Sequence, residues 1–164
     1  MVEINTRIFG KIAIEEGKII RFESGILGFP QLKDFTLIYN AEKGNDSGIK
    51  WLQSLQEPGF AMPVMNPELA MPGYTPRFDR ELLAPLGGNL EADNILMLVT
   101  VTVPKDITKT TVNLRAPIII STDNRRAVQL ICDDEEYSIK YAIYEGERLR
   151  ISFRVATDLK KTSD

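Results

Sequence analysis

Ile95-Leu96-Met97-Leu98-Val99-Thr100-Val101-Thr102-Val103-Pro104 is the stretch on which the fold class turns. It is apolar on both alternating faces at first and mixed with threonine later, which predicts a central strand buried on both sides near its start. Pro104 ends it, because proline cannot donate to a ladder. Working backwards, Ala61–Met65, Trp51–Leu55 and Phe35–Tyr39 have the same β-branched and aromatic character. At the N-terminus Ile4, Thr6 and Ile8 alternate with Glu3, Asn5 and Arg7. Gly10-Lys11 offers a hairpin link to Ile12 and Ile14, and Glu16-Gly17-Lys18 a turn into Ile19–Phe22. Three short strands so close together predict an antiparallel meander. Working forwards, Thr110–Leu114, Ile118–Ser121, Ala127–Cys132, Tyr141–Tyr144 and Leu149–Val155 complete the set. So many closely spaced strands predict an all-β protein: a compact, antiparallel, β-barrel-like single domain with one or two short helices.

Six of the nine prolines lie between Pro58 and Pro85, which predicts a packed irregular excursion there. Within it Asp79 is placed to cap a short helix from Arg80 to about Leu86, with Leu82, Leu83 and Leu86 facing inward and Gly87-Gly88 ending it. A single turn is expected from Lys105 to Lys109.

The chain has 164 residues, 43% hydrophobic and 26% charged, a length and composition that fit one domain. We expect that domain to span residues 1–157, with a C-terminal extension strand at about 145–155 and a frayed tail at 158–164. A net charge of −3 argues against a surface devoted to nucleic-acid phosphates. The absence of histidine removes Ser-His-Asp and Cys-His nucleophile systems, His-ligated zinc and the commonest neutral-pH general base. The single cysteine, Cys132, lies in an apolar run and reads as a small buried hydrophobe. The N-terminus lacks a secretory pattern and no apolar run is long enough to span a bilayer, so a cytoplasmic protein is expected.

Ser24-Gly25-Ile26-Leu27-Gly28-Phe29-Pro30 lacks the Gly-Lys-Ser/Thr ending of a phosphate loop and reads as a tight connection with Phe29 as an anchor. The quartet Asp133-Asp134-Glu135-Glu136 reads as a solvated turn, a protein-binding patch or, without metal-ligand spacing, a cation site. Arg148, Arg150 and Arg154 alternate with Leu149, Ile151, Phe153 and Val155, as in an edge strand or an RNA-binding strand. Trp51 reads as a core or rim aromatic. Tyr74, in the proline-rich stretch, has the better claim to exposure, with Met62, Met65 and Met71 near it as core or as an adaptable apolar surface. Asp79 and Glu81 are carboxylates available for acid–base work, but no spacing sets two of them across a cleft.

Three blocks resemble the family of flagellar assembly factors called FliW. The first is Phe22-Glu23-Ser24-Gly25-Ile26-Leu27-Gly28-Phe29 followed by Leu32 and Phe35. The second is Trp51-Leu52-Gln53-Ser54 with Pro58, Phe60-Ala61 and Asn66-Pro67. The third is Val99–Asp106, then Thr111–Ile118, then Arg126–Leu130. Together they cover about residues 4–141. The resemblance implies a β-barrel-like, non-enzymatic chaperone and regulator of flagellum biogenesis. It would bind cytoplasmic flagellin and, once released, the translational repressor CsrA, so relieving repression of flagellin synthesis. It implies no cofactor, no metal, no membrane and no direct nucleic acid, and a monomer is favoured. Charge nominates Asp133, Asp134, Glu135 and Glu136 for the basic partner CsrA, and apolar character nominates Met71, Pro72 and Tyr74 for flagellin. The family pattern fades after Tyr137, so the resemblance assigns no role to residues 145–164. A nucleic-acid-binding barrel using the C-terminal arginines is the alternative.

Overall fold

The computed structural model describes residues 1–39, 48–88, 90–145 and 148–149. Its strands are β1 (Val2–Thr6), β2 (Gly10–Ile14), β3 (Ile19–Phe22), β4 (Asp34–Ile38), β5 (Lys50–Ser54), β6 (Ala61–Met65), β7 (Ile95–Thr102), β8 (Thr111–Val112), β9 (Ile118–Ser121), β10 (Arg126–Gln129), β11 (Tyr141–Ala142), β12 (Tyr144–Glu145) and β13 (Arg148–Leu149). The strands expected from sequence before residue 145 are present, with ends displaced by up to three residues and the Tyr141–Tyr144 segment divided in two. Of the expected C-terminal strand only β13 and Glu145 are described; residues 150–164 lie outside the described residues.

β3, β4, β5, β6, β7, β9 and β10 close into a seven-stranded barrel through the β7–β9 pairing. All of these seams are antiparallel except β10–β3, where Arg126 and Ala127 run parallel to Arg21 and Phe22. Closure removes the free edges that an open sheet of this size would present. β7 is the branch point. Its first half pairs with β9, and Val101 and Thr102 then pair with β8, which carries β11 on its other side.

Each barrel strand sends residues inward to one core: Ile20, Phe22, Phe35, Leu52, Val64, Leu98, Ile118, Ile120 and Ala127, joined by Ile26 and Leu32 from the β3–β4 connection. Alternation puts Val99 and Val101 on the opposite face of β7, in a second core with Ile49, Met65, Ala70, Tyr74, Val112, Leu114 and Ile143. β7 is therefore buried on both sides, as its sequence predicts. The double burial falls at Leu98 and Val99, while Ile95, Leu96 and Met97 are half-buried.

The N-terminal strands depart from the expected meander. β1 and β2 form a separate hairpin, whereas both edges of β3 are taken by β4 and β10. The hairpin link is Arg7–Phe9 rather than Gly10-Lys11. The Thr6 hydroxyl accepts from the Phe9 N–H and donates to the Gly10 carbonyl, both at 2.8 Å, closing the turn. Buried Phe9 then meets Trp51 edge to face at 5.8 Å, which holds the hairpin on the barrel wall.

Gly25 fulfils the expectation of a tight connection. It has φ +69°, and a Cβ there would lie 2.3 Å from the Pro30 carbonyl oxygen. The anchor of that loop is buried Ile26 rather than Phe29, which is 42% exposed and meets Phe60 edge to face at 4.8 Å. Asp79 caps the Arg80–Leu86 segment as expected, accepting from the Glu81 N–H, but the segment is a 3-10 helix. With three residues per turn, Leu83 and Leu86 share one stripe against Ile119 and Leu130, and Leu82 turns to solvent, 44% exposed. A turn of 3-10 helix also follows Pro104, at Ile107–Lys109. The proline-rich excursion holds one short α-helix, α1 (Pro67–Ala70), capped by Asn66 with Pro67 in its first turn. No helix among the described residues is long and apolar enough to cross a membrane.

Candidate functional site

Two segments far apart in the chain meet beside the second core. The first leaves α1 through Met71 and Gly73, the latter at φ +84°, and turns Tyr74 inward. Its ring packs at 4.7 Å from Tyr137, and its hydroxyl donates to the Leu114 carbonyl at 2.5 Å. The second segment extends β10: Leu130 and Cys132 donate to the Pro117 and Arg115 carbonyls, at 3.1 and 2.9 Å, and bury their side chains. It then turns at residues 133–137, where the Tyr137 N–H donates to the Asp134 carbonyl at 3.1 Å.

Arg77 and Asp134, 57 positions apart, join the two segments. The Arg77 backbone N–H donates to Asp134 Oδ1 at 2.6 Å, and Arg77 Nε to Oδ2 at 2.9 Å. The Asp133 N–H donates back to the Arg77 carbonyl at 2.6 Å, and the Thr75 N–H to the Tyr137 hydroxyl at 3.1 Å. The pair is asymmetric: the Asp134 side chain is 5% exposed and that of Arg77 75%. Burial is the largest single influence on the Asp134 carboxyl and pushes its pKa up. The backbone N–H, guanidinium hydrogen bond and charge of Arg77 together outweigh it and hold the group below the usual carboxylate range. Burial also pushes the Cys132 thiol up, in keeping with its reading as a small hydrophobe.

A folded-state pKa below the unfolded one gives stability that is present above the unfolded value, about 4, and is lost as pH falls through the folded value. Asp134→Asn is therefore expected to lower stability at pH 7 and to flatten the loss on acidification from about pH 4 downwards. Urea midpoints at pH 7 and pH 3 check this; the same pH dependence in both proteins would refute it.

The expected site residues are thus sorted by the fold. Asp133, Glu135 and Glu136 are exposed on the turn, whereas Asp134 is buried and paired, so the reading of a solvated quartet is corrected at that position. The expectation that Tyr74 is exposed is also corrected: it is 4% exposed, because the chain reversal after α1 aims its ring between Tyr137 and Leu114. Burial pushes its hydroxyl pKa up. Met71 is half-buried against the second core, as Met62 is against the first, Met65 is fully buried, and Pro72 is exposed. Asp79 is occupied as a helix cap. Among the described residues no group of three or more acidic or cysteine side chains is disposed to hold a metal ion. Sequence reasoning missed Arg77 and Tyr137, whose partners lie far along the chain. It also missed α1, for which the cap-and-proline pair Asn66-Pro67 was a legible signal.

The profile of the FliW protein family matches residues 3–143. The flagellar assembly factor FliW of Lachnospira eligens is 46% identical over 144 residues, spanning 88% of this chain and 95% of that protein. The one from Lachnoclostridium phytofermentans is 43% identical over 142 residues, or 87% and 90%. A crystal structure of the flagellar assembly factor FliW, 30% identical, superposes with a TM-score of 0.79 over 89% of this chain and 99% of that one. Residues 144–164 fall beyond the family match.

Proposed function

Because the chain belongs to the FliW family, we propose that it is a non-enzymatic flagellar assembly and regulatory factor of the cytoplasm. It binds flagellin before export and, once flagellin has left, binds CsrA and lifts that repressor from the flagellin message. Residues 1–157 act as one domain, working as a monomer.

The observation that carries this reading beyond the family name is the turn at 133–137. Asp133, Glu135 and Glu136 project into solvent, with no side-chain ion pair among the described residues, from a backbone fixed by Arg77. Fixed, solvent-exposed carboxylates that outnumber the adjoining Arg77 cation attract a basic RNA-binding surface and disfavour the phosphate backbone competing for it. Pro72 and the half-buried Met71 supply the neighbouring apolar area for flagellin.

The test replaces Asp133, Glu135 and Glu136 by lysine and leaves Asp134 in place, since its carboxylate is structural. CsrA affinity is expected to fall by about tenfold or more, and the wild-type affinity to weaken with salt, while the thermal melt is retained. Unchanged inhibition of CsrA by the triple variant would remove the turn from consideration. Salt-dependent RNA binding by the isolated protein would favour a nucleic-acid-binding barrel instead.

A further inference from the structure

We infer that Arg77 is a positioning residue: its bonds to Asp134 clamp the acidic turn to the Met71–Arg77 segment, so that the two partner surfaces are presented as one face. The inference rests on the proposed partner set and adds the residue that holds it together.

The clamp is built from both sides. Asp134 receives two bonds from Arg77, one from the backbone and one from the side chain, and the main chain returns one through the Asp133 N–H. Thr75 and Tyr137 add a second cross-link two residues earlier and three later. Beneath them the Tyr74 and Tyr137 rings are in contact, and the Leu114 N–H donates to the Ser138 carbonyl at 3.0 Å. Charged hydrogen bonds to a carboxylate that is almost fully buried set orientation closely, since leaving that carboxylate unpaired is costly. Neither segment has a regular strand or helix of its own between Met71 and Asp79 or between Gln129 and Tyr141, so these cross-links, with the Leu130 and Cys132 bonds that continue β10, are what hold the acidic turn against the segment that follows Pro72.

The role separates from that of a contact residue by the sign of its effect. Arg77 is a cation in an acidic neighbourhood, beside Asp133 and Glu136. Were it only part of the surface charge, Arg77→Gln would make the face more negative and strengthen binding of a basic partner. As a clamp, its loss frees the turn and weakens binding of both partners.

The experiment measures the affinity of the full chain for CsrA and for flagellin, with hydrogen exchange of the amides at 133–138, in wild type, Arg77→Gln and Arg77→Lys. Arg77→Gln is expected to lose about tenfold for each partner and to exchange faster at 133–138. Arg77→Lys, which keeps the charge but not the planar fork, should fall between the two. Equal or tighter CsrA binding by Arg77→Gln, or a loss for one partner only, overturns the inference. If Arg77→Gln proves too unstable to assay, wild-type affinity in Arg77→Lys alongside faster exchange overturns it as well, and a loss for both partners upholds it. Failure of the wild type to bind either partner would instead sink the proposed function.

Discussion

Phe35→Ala is expected to destabilise the protein by about 3–5 kcal/mol, the usual cost of emptying a phenylalanine site in a close-packed core. Phe35 is fully buried in the barrel and meets Phe22 and Phe60 edge to face at 5.3 and 6.4 Å. Its neighbours sit on strands whose registers are set by closure on both sides, so the walls have little freedom to collapse into the void. Against a typical total of about 5–15 kcal/mol the loss is severe, and a melting temperature lower by on the order of 10 °C is expected. Phe29→Ala serves as the control. That ring lies at the rim, 42% exposed, and should cost about 1 kcal/mol. Denaturant titrations of the two variants decide the matter; equal losses would mean that the barrel interior is not the principal core.

Tyr74→Asp is expected to abolish the stable fold, at a cost on the order of 5 kcal/mol. The substitution removes an aromatic ring packed on Tyr137, deletes the donor to the Leu114 carbonyl and puts a carboxylate where burial leaves it almost no water. The adjoining thiol of Cys132 and the carboxylate of Asp134 offer it no cation. Loss of flagellin binding in this variant would therefore report unfolding rather than a lost contact. Pro72→Asp is the informative change for the surface, because Pro72 is exposed two residues earlier. Circular dichroism of Tyr74→Asp at 25 °C checks the expectation, and a melt within about 1 kcal/mol of wild type would contradict it.

The two candidate surfaces were legible as residue types and illegible as places. Charge singled out residues 133–136, and apolar, proline-rich character singled out Met71, Pro72 and Tyr74, yet nothing in either stretch announces the other. Burial followed the same division. The expectation of a strand buried on both sides holds for β7, where Leu98 faces one core and Val99 and Val101 the other, because each residue's side is set by its own strand. Alternation is silent about Tyr74 and Asp134, which lie outside strands and owe their burial to residues 40 and 57 positions away. Leu82 departs from its expected inward place for a local reason: the chain adopts three residues per turn there rather than the 3.6 of an α-helix.

Strand content, the branch-point strand ending before Pro104, the capped turn at Asp79 and the glycine required at position 25 all follow from short-range sterics and alternation, which a sequence displays directly. Three blocks of residues were enough to identify the family. Closure of the barrel through β7 and β9, the parallel seam of β3 and β10, the standing-off of the N-terminal hairpin and the Arg77–Asp134 clamp were decided only in three dimensions. Each depends on which distant edges and side chains are left unsatisfied once the local elements have formed, and that competition between partners remote in sequence has no periodic signature along the chain.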